Sequence, residues 1–269
     1  MLERRESADG VVYYVSPLIE RAGAPHAFST RIGGASPAPF DAMNLGNPNG
    51  CEIQDSYERI WENYRLLQRA IGCEDRLLTR LHQVHGKVVV KVDGAHPPRD
   101  NGAMGDALVT GEAGRMLSVR VADCVPILIA AADGRCVAAV HAGWRGIVAN
   151  IIGETVRAML SEGAAAGKMV AAVGPCIGEE AFEVGAEVLE AFAQVFGDAA
   201  PMRRTDGGKG HVDLRAAAKL QLVQAGVRPG DIDGTDRCTF RDRNEFFSHR
   251  RESGITGRMA AVIGVRVEL

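Results

Sequence analysis

Two short apolar runs, joined by a single tight turn, constrain this chain more than any other stretch. From Val121 the sequence reads V-A-D-C-V-P-I-L-I-A, passes Ala132-Asp133-Gly134, and resumes as C-V-A-A-V-H-A-G-W-R-G up to Gly146. The runs Val125 to Ala130 and Cys136 to Val140 are the length of strands, rich in β-branched residues and bounded by turn residues, so they predict two buried strands paired about Asp133-Gly134. In an antiparallel hairpin the start of one strand lies beside the end of the other. Cys124, before the first strand, and His141, at the end of the second, therefore become neighbours on one sheet edge. Gly143 and Gly146 flank Trp144-Arg145 and let the backbone approach a bound group closely. The pattern predicts a cleft at this edge.

A third metal-type ligand lies upstream in L-H-Q-V-H-G-K-V-V-V, Leu81 to Val90, which reads as another strand. His82 and His85 are an odd number of residues apart, so an extended chain points them to opposite faces and only one can join Cys124 and His141. The spacing does not choose between them. One thiol and two imidazoles with a fourth position open is the pattern of catalytic zinc. Cys124 and His141 alone would also suit a thiol hydrolase, with the cysteine as nucleophile and the histidine as its base.

The remaining chain supplies strands and helices in no strict alternation. Val11 to Val15, Ala27 to Thr30, Asp106 to Thr110, Met116 to Val121, Met169 to Val173 and Gly257 to Val267 read as strands. Asp55 and Glu58 resemble a capping box for a helix to about Ile71, with apolar residues at Ile60, Tyr64, Leu67 and Ile71. A second helical pattern follows Gly146 through Leu160, and Ala186 to Phe196 and Asp213 to Ala225 predict two more. Ala95 to Gly105, rich in Pro, Gly and Asp and containing His96, reads as an exposed loop, and Thr205 to Gly210 as a flexible one. These elements predict an α+β architecture: a mixed α/β sandwich with flanking helices, formed by residues 1–269 as one domain.

Composition excludes several classes. A formal net charge of −3, with both signs interspersed, offers no basic face for nucleic acid. No apolar run approaches a membrane span, and the charged start Met1-Leu2-Glu3-Arg4-Arg5-Glu6 lacks a signal-peptide core, so a cytoplasmic protein is expected. Six cysteines at 51, 73, 124, 136, 176 and 238 lack C-x-x-C spacing, which argues for reduced thiols and against a cysteine-rich zinc finger.

Five motifs, in order, carry a resemblance: H-Q-V-H-G, D-A-L-V-T at Asp106 to Thr110, A-D-C-V-P-I, H-A-G-W-R-G and G-P-C-I-G at Gly174 to Gly178. T-R-I-G-G-A-S-P-A-P-F-D-A-M-N-L-G, Thr30 to Gly46, precedes them, and F-F-S-H-R-R-E…T-G-R-M-A closes the series. The chain resembles the family labelled polyphenol oxidase or laccase-domain protein, also called purine nucleoside phosphorylase-like, of YfiH and YlmD type. The resemblance implies the YfiH-like fold, zinc held by His85, Cys124 and His141, and phosphorolysis of adenosine, inosine and methylthioadenosine with adenosine deamination. It implies a nucleoside and phosphate as small-molecule partners of a monomer or small homo-oligomer. Phosphate needs a cationic site, for which Arg31, Arg145 and Arg251 are the candidates, with Asn44 closing the loop that Arg31 opens. The older label implies copper and phenol oxidation, but a multicopper site needs many histidines, usually in H-x-H pairs. This chain has seven and no such pair.

Overall fold

The computed structural model describes residues 1–48, 50–94 and 99–266. Two β-sheets stack face to face, and helices cover both outer faces. The first sheet has seven strands in the order Glu3–Glu6, Val12–Val15, His26–Ser29, Met259–Gly264, Arg115–Val121, Leu77–His82, Arg99–Met104. The second has six: Ile232–Asp233, Met169–Val173, Val125–Ala131, Val137–Ala142, Ala107–Thr110, Val89–Lys91. Both mix parallel and antiparallel pairs.

Strand alternation explains the layering. In Val125–Ala131, Leu128 and Ala130 face the first sheet and pack with Phe28, Leu117, Val119, Ala261 and Ile263. Ile127 and Ile129 face the other way, onto Ile151, Val156, Phe192 and Ala217 of the covering helices. The far face of the first sheet presents Val11, Tyr13, Met116 and Val262 to Ile60, Tyr64 and Leu67 of the helix Tyr57–Ala70. A strand buried on both faces has no polar side, which is why Val125–Ala131 reads V-P-I-L-I-A-A without alternation.

The predicted hairpin forms with Val137 opposite Ala130 and His141 opposite Pro126, closed by Gly134 at φ 70°. Four expectations need correction. Leu81 to Val90 is not one strand: Leu77–His82 ends at the first histidine, Val89–Lys91 begins after the second, and His85 sits between them at φ 60°. Ala95 to Gly105 is not all loop, because Arg99–Met104 adds in parallel to the edge strand Leu77–His82; His96 lies outside the described residues. Ser56, not Asp55, caps the helix Tyr57–Ala70, accepting from Arg59 N, while the Asp55 carboxylate takes hydrogen bonds from Ser36, Asn44 and the Ser56 amide. The helix after Gly143 is two helices, Trp144–Val148 and Ile151–Ser161, separated by Asn150 in the left-handed region at φ 64°. Asn150 tolerates that conformation and caps the second helix through its side chain on Gly153 N. Among the described residues no helix is long and apolar enough to cross a membrane.

Candidate active site

His85, Cys124 and His141 converge where the two sheets meet the short helix Trp144–Val148, and their ligand atoms all lie within 4.8 Å of one another. The hairpin register brings Cys124 beside His141, and the His85 and His141 rings meet edge to face with centroids 4.8 Å apart. His82 ends a strand opposite Met104 and takes no part. Gly143 makes the convergence possible: a Cβ there would sit 3.0 Å from His85 Cδ2 and 3.1 Å from Cys124 Sγ. The glycine leaves the trio a shared space that any larger residue would fill.

Asp106 holds two of the three ligands in place. Its fully buried carboxylate accepts from His141 Nδ1 at 2.8 Å, from the backbone amides of His85 at 2.9 Å and Gly86 at 2.7 Å, and from Val84 N at 3.3 Å. Three consecutive amides turned onto one carboxylate define the left-handed turn that carries His85. The bond to Nδ1 fixes the His141 ring and leaves Nε2 for the cysteine, the arrangement in which an outer carboxylate orients a ligating histidine. Burial alone would raise the Cys124 thiol, but the charge of His141 and hydrogen bonds from His141 and His85 outweigh it and bring the pKa down to about 6. Burial lowers His141, yet Cys124 and Asp106 together raise it above the usual histidine range. The site thus favours a thiolate, the form that binds a metal or attacks an electrophile. Two imidazoles and a thiolate with this separation fit zinc, whose ligands stand about 2.0 to 2.3 Å from the ion.

The trio opens into a cleft of about 410 Å³. Trp144, Ile177, Phe182 and Leu214 give its lining apolar surface, and Arg120, Arg258, Asn47 and Gln83 give it polar and cationic groups. Asp123, at φ 90°, is held by Thr239 Oγ1 at 2.6 Å and by the Arg250 amide at 2.7 Å. Arg145 lines the cleft but is exposed, with its guanidinium 4.4 Å over the Trp144 ring, inside the first turn of its helix and not ahead of it.

Arg31, Arg251 and Asn44 do not line this cleft. Arg31 stacks 4.5 Å over Phe247, donates to the Asp41 carbonyl at 2.8 Å and pairs with the Asp41 carboxylate at 3.3 Å. Arg251 turns inward onto the carbonyls of Thr239, Phe240 and Phe246 and onto Glu252. Asn44 is fully buried and bridges Asp55 to the backbone of Gly46 and Arg258. Each was a candidate because it flanks a glycine or an aromatic; the fold uses all three as braces. Conversely, Asp106, Arg120, His249 and Arg258 escape a reading by residue type and spacing. The one usable signal was an aspartate placed directly ahead of the apolar strand A-L-V-T.

Comparison with known proteins places this geometry. Residues 25–266 match the family model described as multi-copper polyphenol oxidoreductase laccase. A Deinococcus radiodurans protein named purine nucleoside phosphorylase is 39% identical over 242 residues, covering 90% of this chain and 89% of its own length. The Escherichia coli protein named purine nucleoside phosphorylase YfiH is 39% identical over 241 residues, covering 90% of this chain and 93% of its own. The crystal structure of YlmD from Geobacillus stearothermophilus superposes with a TM-score of 0.87 at 33% identity, over 98% of this chain and 99% of that one. The chain belongs to this laccase-like family, whose curated members of YfiH and YlmD type carry the name purine nucleoside phosphorylase.

Proposed function

We propose that this chain is a cytoplasmic, zinc-dependent purine nucleoside phosphorylase that acts on adenosine, inosine and methylthioadenosine and also deaminates adenosine. The observation that carries the reading is one three-ligand cluster opening into a cleft whose lining includes both aromatic and cationic side chains. A purine requires the first and a phosphate the second. The phosphorylase part of this reading is supported by the relatives named purine nucleoside phosphorylase.

His85, Cys124 and His141 would hold the ion, which when bound supplies a Lewis acid and lowers the pKa of a coordinated water toward neutrality. Asp106 keeps His141 and His85 in their ligating orientations. Trp144 and Phe182 exclude water from the base, with Arg145 and Arg250 stacked on their rings. In phosphorolysis the phosphate oxygen displaces the purine at the anomeric carbon, so the free base and a ribose phosphate leave together. Deamination requires water alone.

The laccase label implies copper. Among the described residues the trio is the only group of three or more such ligands, and one trio cannot supply a multinuclear copper centre. A second reading has its own support: without metal, Cys124, His141 and Asp106 form a nucleophile, base and orienting acid in line, as a thiol hydrolase would need. One experiment separates these. Adenosine, inosine and methylthioadenosine are supplied to the purified protein with and without phosphate, before and after chelation and zinc re-addition. Base release should require both phosphate and zinc. Phosphate-independent release, or activity that survives chelation, overturns the assignment.

A further inference from the structure

The cleft lining contains an arginine, Arg258, that pairs with no carboxylate among the described residues. Arg258 precedes the last strand by one residue, and the register Met259 to Val121 and Ala260 to Arg120 sets it diagonally across from Arg120 on the same sheet face. Nη1 of Arg258 donates to the carbonyls of Thr256 at 2.9 Å and Gly257 at 3.0 Å, which fixes the plane of the guanidinium. Nε and Nη2 make no hydrogen bond with any described residue. Arg258 has no ion pair with any described residue, whereas Arg31 and Arg251 are both paired with carboxylates.

Arg120 is fixed as firmly. Its backbone amide and carbonyl both bond the Gln83 side chain, at 2.8 Å each, and its Nη2 donates to the Leu81 carbonyl at 2.9 Å. Gly46 makes room for it, since a Cβ there would lie 2.6 Å from Arg120 Cδ. Burial lowers the Arg258 pKa and the nearby charge of Arg120 lowers it further, while Cys124 and Asp123 in the same cleft offset part of that. A guanidinium whose plane is set by the backbone, with one edge open, matches a tetrahedral oxyanion bidentately.

We propose that Arg258, with Arg120 beside it, is the phosphate subsite of this cleft, and that Arg145 is not. This deepens the phosphorylase reading and rests on it for the identity of the anion. Phosphate would then share the cleft with Trp144 and Phe182, the aromatic residues available to the base.

The test is titration calorimetry of inorganic phosphate into the full-length, metal-loaded protein and into R258Q, R258K, R120Q and R145A, each checked for an unchanged melting profile. The wild type should bind phosphate saturably. R258Q should weaken it roughly ten- to a hundredfold, the loss of hydrogen bonds to a charged group, R258K and R120Q by less, and R145A by less than about twofold. Should R258Q fail to fold, R258K and R120Q decide. No saturable binding by the wild type, unchanged affinity in the Arg258 and Arg120 variants, or loss in R145A alone overturns the proposal. Phosphate that binds as expected without any phosphorolysis would sink the phosphorylase reading and leave the subsite standing. Phosphorolysis with a phosphate KM indifferent to Arg258 would do the reverse.

Discussion

The loop around Asp55 and the loop around Asp106 are built by the same device and end with opposite properties. In each, a buried aspartate gathers the polar groups of a segment that has just left a strand. Asp55 takes Ser36, Asn44 and the amide of Ser56, and Asn63 adds bonds to Ser36 and to the Asn44 carbonyl. These bonds tie the loop to itself and to the helix Tyr57–Ala70, so the loop is a brace. Asp106 takes three amides and one imidazole nitrogen, and leaves the other imidazole nitrogen, the His85 ring and the Cys124 sulfur facing a cleft. The proposed site sits where the internal bonding stops short. The same test separates the arginines: Arg31 and Arg251 use their donors on carbonyls and carboxylates, and Arg258 keeps an edge open.

The largest expected break comes from the ligands. His85→Ala and Cys124→Ala should each lower phosphorolysis by about a thousandfold, the scale of several kcal/mol of metal-borne stabilisation. His82→Ala, on the strand and outside the trio, should retain wild-type turnover; equal losses at 82 and 85 would contradict the site. Next, Asp106→Asn should weaken zinc affinity by about ten- to a hundredfold, measured by competition with a chromophoric chelator. Asp55→Asn should lower the melting temperature while zinc affinity stays put, and a variant pair that behaves alike would erase the contrast between the loops.

A smaller effect concerns pH. His26 is buried at the start of the strand His26–Ser29, inside the first sheet, accepting the Ser16 amide on Nε2 at 2.7 Å and donating from Nδ1 to the Ala24 carbonyl at 2.9 Å. Burial holds its pKa down to about 4. The unfolded chain, with an ordinary histidine near 6.5, therefore binds the proton first as pH falls. The stabilisation is fully present above about pH 6.5 and is lost between there and about pH 4, on the order of 3 kcal/mol. Chemical denaturation at stepped pH should show this slope, and His26→Gln should flatten it. Smallest of all, Arg31→Ala should cost about 1 kcal/mol of stability through its lost stacking on Phe247 and leave the KM for phosphate unchanged.

Local rules made the hairpin legible, since Val125 to Val140 carries its own strand lengths and turn, and with it the meeting of Cys124 and His141. They could not choose between His82 and His85, because what decides is a carboxylate some twenty residues away that bends the chain after His82. The alternation argument assumed a strand that ends three residues too soon. Arg258 was invisible for a related reason: an arginine's role depends on whether backbone carbonyls reach all its donors, and only the assembled sheets determine that. Asp55 looked like a helix cap because its neighbour Ser56, which caps, was indistinguishable from it by type.

Metal stoichiometry tests the account most directly. Elemental analysis of the purified protein should give one zinc per chain, falling to background in Cys124→Ala and unchanged in His82→Ala. Several coppers per chain, or zinc retained when Cys124 is removed, would contradict a single His85, Cys124 and His141 centre.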